Sequence, residues 1–294
     1  MDDLERFWSD IFSEDPALIG DAWATLGANE REAVLAHLRS ILADSDRLPE
    51  QRRASSIALS VVSGKRAPTI LLASGSPRRR DLIALLGLPV ETAPADIDET
   101  PHPGEDPAFM VARLSLAKAE SARVTARPLD YLTTRPILLA ADTTVSLDGE
   151  ILAKPADAVE ARSMLTQLRG RSHQVYTAIA LIDMETGEHI TDLATTEVPM
   201  RQYSDEEMEG YIATGDSLDK AGGYAIQHDG FNPVATMSGC YANVVGLPLC
   251  HVARSLRALG VEPLADVPAA CQAHLGYECP VFREILAGRI GNDE

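Results

Sequence analysis

Apolar positions recur at helical spacing through the first part of the chain and then shorten into strand-length runs. Val34, Leu35, Leu38, Ile41 and Leu42 follow a 3.6-residue period, and Asn29 with Glu32 resembles a capping box ahead of them. Trp8, Phe12, Leu18 and Trp23 predict one or two earlier helices, and the more polar residues 43–67 read as holding a linker. The first buried strand is expected at Ile70, Leu71, Leu72 and Ala73. A small-residue turn follows at Ser74, Gly75 and Ser76, then a helix with Ser76 as N-cap and Pro77 in its first position. Leu82, Leu85 and Leu86 give that helix an apolar face, and Gly87 is placed to end it.

Further along, residues 89–92 predict a second strand, and Asp106 with Pro107 opens a helix to about residue 124. Residues 136–141 (PILLAA) form the clearest buried strand and lead into Asp142, Thr143 and Thr144. A turn at Asp148 and Gly149 and a short strand at Ile151 and Leu152 follow. A hairpin across those residues returns Lys154 beside Asp142. Asp157 caps a helix over 158–168 closed by Gly170. Residues 173–182 and 189–203 read as an antiparallel hairpin around Glu185, Thr186 and Gly187, so the sheet is mixed. Ser204 and Glu207 form a capping box for a helix ending near Gly215. The last domain helix runs to Gly260, and the tail carries one more, near 281–287.

Composition narrows the class. The chain has 294 residues, 45% hydrophobic and 24% charged, which suits an ordinary soluble protein. Its net charge of -18 argues against a nucleic-acid binder, whose surface must be basic. No apolar run reaches bilayer length, and MDDLERFW lacks the basic and apolar regions of a signal peptide, so a cytoplasmic protein without membrane association is expected. Cys240, Cys250, Cys271 and Cys279 include no CxxC pair and read as reduced thiols; Cys271 and Cys279 lie close enough in the tail to pair or bind metal.

Four stretches carry candidate chemistry. The first amides of a helix lack backbone partners and favour anions. Arg78, Arg79 and Arg80 oppose the helix dipole, so a phosphate-rich ligand explains them better than helix stability does; a solvated basic patch is the alternative. Asp96, Ile97, Asp98, Glu99 and Thr100 match the DxDxT pattern of haloacid-dehalogenase-type phosphatases. They follow Thr92-Ala93-Pro94-Ala95, which is not the strongly apolar strand that motif requires. The same carboxylates suit Mg²⁺, or form a solvated acidic loop. Asp142 at the carboxyl end of a central strand stands where α/β folds place chemistry. In DKAGGYAIQ, the paired glycines permit close backbone approach to a ligand and Gln227 offers the donor and acceptor that a base edge needs. Lys118 alone reads as a surface lysine, and His173 at a strand entry as structural.

Taken together, LLASGSPRRRDLIALLG, DIDE, LAKAESA, AADTTV, ILAKP, DKAGGYAIQ and NVVGLPL resemble, in order and spacing, the Maf-like nucleotide pyrophosphatases over about residues 68–260. The resemblance implies a mixed α/β fold with an elongated mixed sheet, flanking helices and a central cleft, similar to inosine-triphosphate pyrophosphatases. It implies hydrolysis of a nucleoside triphosphate to monophosphate and pyrophosphate with Mg²⁺ or Mn²⁺. By motif, Asp142, Lys154, Glu99 and Lys118 take catalytic roles, with Glu99 and Asp142 as metal ligands. Ser74, Ser76, Arg78, Arg79, Lys220 and Gln227 bind substrate. Gln227 after DKAGGY is similar to the dTTP/UTP branch, where a 7-methyl-GTP branch has Glu. The family tends toward homodimers. The implied organisation is a helical extension (1–66), a catalytic domain (67–262) and a tail (263–294). A division-regulating binding protein on the same fold, and an aspartyl-nucleophile phosphatase using DIDET, remain the alternatives.

Overall fold

The computed structural model describes residues 3–44, 47–64, 67–125 and 134–290. Its centre is the 14-residue strand β3 (Thr134–Leu147), about 45 Å long at strand rise. The first half of β3 pairs in parallel with β1 (Ala67–Leu72), from Ala67 opposite Thr134 to Leu72 opposite Leu139, and β1 pairs in parallel with the edge strand β2 (Val90–Thr92). The second half pairs with the short antiparallel β4 (Glu150–Leu152). Asp148 and Gly149 both have positive φ in the tight turn between them, the geometry that matches strand twist. Along its other edge β3 pairs antiparallel with β5 (Ser172–Asp183), and β5 with β6 (His189–Pro199). The result is a mixed six-stranded sheet, ordered β2-β1-β3-β5-β6 with β4 on β3.

Strand alternation splits the core into layers. Ile70, Leu72, Ile137, Leu139 and Ala141 face α5 (Pro77–Ala84), α9 (Tyr241–Val245) and α10 (Leu249–Ala258); Leu71, Ala73, Leu138 and Ala140 face α6 (Pro107–Thr125). A second lobe forms around Val145, Leu147, Leu152 and Val175, closed by α7 (Ala158–Leu168) and α8 (Asp205–Ala213). Ser204 caps α8 and its Glu207 closes the box, as read from sequence. The cleft lies between the lobes.

Four features differ from the sequence reading. Asp142 does not end β3; the strand continues to Leu147 because its partner changes from β1 to β4. The supposed linker is largely a helix, α4 (Pro49–Ser63), packed on α3 (Ala28–Ala43), α2 (Pro16–Ala24) and β1; residues 45–46 and 65–66 lie outside the described ones. α3 begins two residues earlier than the Asn29 capping box predicts, and the Glu30 carboxylate accepts the Gly27 N–H at 2.7 Å. The tail holds two helices, α11 (Val267–Leu275) and α12 (Phe282–Leu286), and their Val267, Cys271 and Ile285 join the main core. With α1 (Asp3–Ile11), the N-terminal helices bury Ile11, Ile19, Leu38 and Ala58 in a core of their own. No helix among the described residues is long and apolar enough to cross a membrane.

Candidate active site

Between Leu139 and Val145, where β4 takes over, β3 has no strand partner on its β1 side, because β1 gives way to the Ser74–Gly75–Ser76 turn and α5. Asp142 and Thr143 therefore stand on an open strand edge and, by alternation, point to opposite faces of the sheet. On the α6 face, Lys118 reaches Asp142 Oδ1 with its Nζ at 2.5 Å; the same ammonium meets Glu99 Oε1 at 2.9 Å. On the opposite face, α5 presents Arg79, held at three points. Nε donates to the Gly246 carbonyl at 2.8 Å, Nη1 to the Ala141 carbonyl at 2.8 Å, and Nη2 to Thr143 Oγ1 at 3.0 Å.

Local sequence accounts for these placements. Ser76 caps α5, accepting the Arg79 N–H at 3.5 Å, and Pro77 fits the first helical position. Thr143 Oγ1 is tied to Thr177 Oγ1 at 2.9 Å, and Thr177 donates to the Asn243 carbonyl at 3.1 Å. Asn243 Nδ2 donates to the Val175 carbonyl and to Thr196 Oγ1. The Arg79 fork thus rests on a buried polar network that joins β3, β5, β6 and α9.

A cavity of about 160 Å³ opens between the lobes. Ser76, Arg78, Arg79, Glu99, Lys118, Asp142, Lys154, Lys220 and Gln227 all line it, with Val145, Val175, Val244 and Val245 as its apolar wall. Ser74 does not line it; its Oγ accepts the Ser76 N–H at 3.2 Å beneath the turn. Asp96 and Asp98 do not line it either, and Asp98 is engaged by the Thr100 hydroxyl and N–H. The hairpin brings Lys154 to the same cavity as Asp142 and close enough to act on Glu99.

Lys220 is buried and already paired: Nζ donates to Asp216 Oδ1 and to the Asp216 carbonyl at 2.7 Å each, and to Asp219 Oδ1 at 2.5 Å. Asp219 also stands 3.7 Å from Arg78. Gly222, at φ +70°, lies against Val145, where an added Cβ would meet Cγ1 at 3.0 Å, so the loop lies flat on the hairpin. His173 is buried, its Nε2 2.8 Å from the Tyr224 hydroxyl, and lies outside the cavity lining. Sequence reasoning passed over Thr143, Asn243, Asp216 and the Gly246 carbonyl. The ADTT and NVVG blocks were the available signals.

The two carboxyls behave oppositely. Burial raises Asp142 above the ordinary carboxylate range, and Lys118 and Arg79 only partly oppose this. Burial also acts on Glu99, but the Lys118 hydrogen bond and charge, with Lys154 and Arg79, outweigh it and hold Glu99 below that range. Adjacent carboxyls pushed apart in this way suit distinct roles in proton transfer. Among the described residues no group of three or more His, Cys, Asp or Glu side chains is arranged around a metal position. Glu99 and Asp142 are the candidate metal donors; Asp219 also lines the cavity but is paired with Lys220 and Arg78.

The Maf-like protein family model matches residues 69–259. The chain is 44% identical over 192 residues to the dTTP/UTP pyrophosphatase of Geobacter sp. (strain M21), covering 65% of this chain and 96% of the relative. It is 47% identical over 194 residues to the dTTP/UTP pyrophosphatase of Chromobacterium violaceum, covering 66% and 96%. It is 42% identical over 231 residues to that of Thermomicrobium roseum, covering 77% and 100%. With this extent of match on a mixed sheet of the expected kind, the chain belongs to the Maf-like protein family.

Proposed function

We propose that this chain hydrolyses nucleoside triphosphates of the dTTP/UTP type, modified bases included, to the monophosphate and pyrophosphate. The observation that carries the reading is the convergence of Glu99 and Asp142 with Arg79, Lys118 and Lys154 in one cleft. The relatives bearing the name dTTP/UTP pyrophosphatase support it. In this reading the catalytic domain (67–262) is flanked by the helical extension and the tail, and works in the cytoplasm as a homodimer.

Pyrophosphate release needs water delivered to the α-phosphorus while charge grows on the leaving group. Asp142 is the base: burial lifts its proton affinity toward the range where abstraction from water is efficient. Lys118 orients Asp142 and Glu99 through its two ion pairs. Arg79, fixed by neutral acceptors, keeps its charge for phosphate oxygens, and Lys154 adds an exposed cation across the cleft. Gln227 faces the base, while Arg78 and Ser76 line the anion end. Lys220, held by two aspartates, fixes the loop before Gln227. Glu99 and Asp142 present hard carboxylate oxygens from two separate elements, a donor set that fits Mg²⁺ or Mn²⁺. Such an ion, when bound, neutralises phosphate charge and acidifies water.

The test is a product assay with purified protein, Mg²⁺ and a panel of dTTP, UTP, CTP and 7-methyl-GTP, scoring pyrophosphate and orthophosphate separately. Pyrophosphate from dTTP and UTP is expected. Orthophosphate as the primary product would overturn the proposal and point to Asp96 and Asp98. No product at all would favour a binding protein. Asp142→Asn is expected to abolish turnover while nucleotide binding persists, and a fully active variant removes Asp142 from the chemistry.

A further inference from the structure

All four cysteines of the chain line one small cavity at the start of α9, whose last residues wall the cleft, although they come from four separate places in the sequence. Cys240 precedes α9, Cys250 lies on α10, Cys271 on α11, and Cys279 in the loop before α12. All four are free thiols. They are not equivalent. Cys240, Cys250 and Cys271 are buried, whereas Cys279 is half-exposed. The Tyr277 hydroxyl donates to the Gly239 carbonyl at 3.0 Å, which holds the segment carrying Cys279 against the residue before Cys240.

We propose that Cys240 and Cys279 form a reversible, hydroperoxide-sensitive dithiol, with Cys279 as the attacking thiolate and Cys240 as the resolving thiol. Cys279 S⁻ attacks one oxygen of H₂O₂, the O–O bond breaks, and Cys279–SOH and hydroxide form. The Cys240 sulfur then attacks the sulfenic sulfur. The S–S bond forms, the S–O bond breaks, and the Cys240 proton leaves with the hydroxyl as water. Two thiols are oxidised and one peroxide is reduced.

The surroundings support this division of roles. The neighbouring Cys240 thiol, with nearby backbone amides, draws Cys279 below the ordinary thiol value against burial. The neighbouring Cys279, with burial, raises Cys240 and keeps it protonated. Burial pushes Cys250 up to about 12 and Cys271 to about 11, which leaves both inert at neutral pH. The pair also joins the tail to the catalytic domain. Tyr277 donates to the Met237 and Gly239 carbonyls at 3.2 and 3.0 Å, and α9 runs from Cys240 directly to Val244, Val245 and Gly246 in the cleft wall. A disulfide here would clamp the tail onto the start of the helix that carries the Arg79 anchor.

The experiment treats the full chain with hydrogen peroxide, blocks remaining thiols with N-ethylmaleimide, and maps peptides by mass spectrometry without reduction. The expected product is one Cys240–Cys279 cross-link, lighter by two hydrogens and restored by dithiothreitol. Cys279→Ser should abolish it. Cys240→Ser should leave Cys279 as a sulfenic acid captured by dimedone. At pH 6, iodoacetamide should alkylate Cys279 at least roughly tenfold faster than a free thiol of pKa about 8.5. A dominant link through Cys250 or Cys271 would overturn the proposal. So would direct conversion of Cys279 to sulfinic acid in the intact chain, or alkylation no faster than a free thiol.

Discussion

Replacing Lys118 with Met tests the electrostatic argument at the centre of the cleft. The substitution keeps most of the side-chain volume and removes the ammonium that touches both carboxylates, at 2.5 Å from Asp142 and 2.9 Å from Glu99. The Lys118 and Asp142 side chains are only 9% and 8% exposed, so breaking this pair strands a desolvated charge, at a cost of about 3–5 kcal/mol. Glu99 is 47% exposed, and solvent screening limits its own share to under about 1 kcal/mol.

The cost has a definite pH dependence. Asp142 already sits above the carboxylate range in the folded chain, and losing Lys118 raises it further. A carboxyl raised on folding gives stability that is present in acid and lost as pH rises through its folded value. The deficit against wild type is therefore smaller at pH 5 than at pH 8, because the orphaned carboxyl takes up a proton more readily in acid. Urea unfolding at the two pH values, with linear extrapolation, measures it. Adding Asp142→Asn to the variant removes the stranded charge and should recover most of the loss at pH 8. The reasoning fails if the deficit is equal at both pH values, if it is under about 1 kcal/mol at pH 8, or if the double variant is no more stable than the single one.

Arg79→Lys cannot span the Gly246 and Ala141 carbonyls and Thr143. It should lower kcat/KM by about 10² to 10³ and cost about 1–3 kcal/mol of stability, read by steady-state kinetics and urea unfolding. His173 is pushed down to about 4 by burial, so its neutral form is favoured on folding; its contribution is complete above the unfolded value of about 6.5 and is lost as pH falls toward 4. Between pH 7.5 and 5, wild type should therefore lose about 2 kcal/mol more than His173→Gln in urea titrations. Arg254 holds the buried Asp192 with both oxygens engaged and also donates to the Ile285 and Ile290 carbonyls. Arg254→Ala should cost about 3–5 kcal/mol and speed amide exchange in α11 and α12.

What could be read from sequence was local. β1, the Ser74–Ser76 turn and α5 follow from a short apolar run, a cap and a proline within a dozen residues, and the α8 capping box is likewise self-contained. α4 was hidden because its buried positions include Ser55 and Ser60, which look polar in sequence. Their hydroxyls donate to the Gln51 and Ile57 carbonyls of the same helix, so they need no outside partner. α11 was hidden by small residues: only Val267 and Cys271 of its nine are buried. The extent of β3 was not legible because Ala140, Ala141 and Asp142 interrupt the strand-prone residues, and the change of partner after Leu139 depends on where β1 stops. Charged candidates were easy to find, but their partners were not. Lys220 reads as a ligand cation beside Gly222 and Gly223, yet Asp216, four residues earlier, already neutralises it with Asp219.

That distinction between paired and unpaired cations gives the cleft a direction. Among the described residues Arg79 hydrogen-bonds to two carbonyls and a hydroxyl and to no carboxylate, so its charge is anchored without being cancelled. Lys118 is shared by two carboxylates, leaving the α6 side of the strand edge with a net negative charge. Asp142 and Thr143 are consecutive, so these two environments meet across one peptide of β3. Under the proposed function, a triphosphate settles its anionic tail toward Arg79 and Lys154, which leaves the α-phosphorus facing Asp142. The donors on the Arg79 side are fixed by the Thr143–Thr177–Asn243 network before substrate arrives, so stabilising the developing charge requires little reorganisation. Asn243 is therefore a positioning residue. Asn243→Ala should leave the Asp142–Lys118 pair intact while loosening the Arg79 side, lowering kcat more than it raises KM. The opposite split would place Asn243 in substrate binding and refute a preorganised fork.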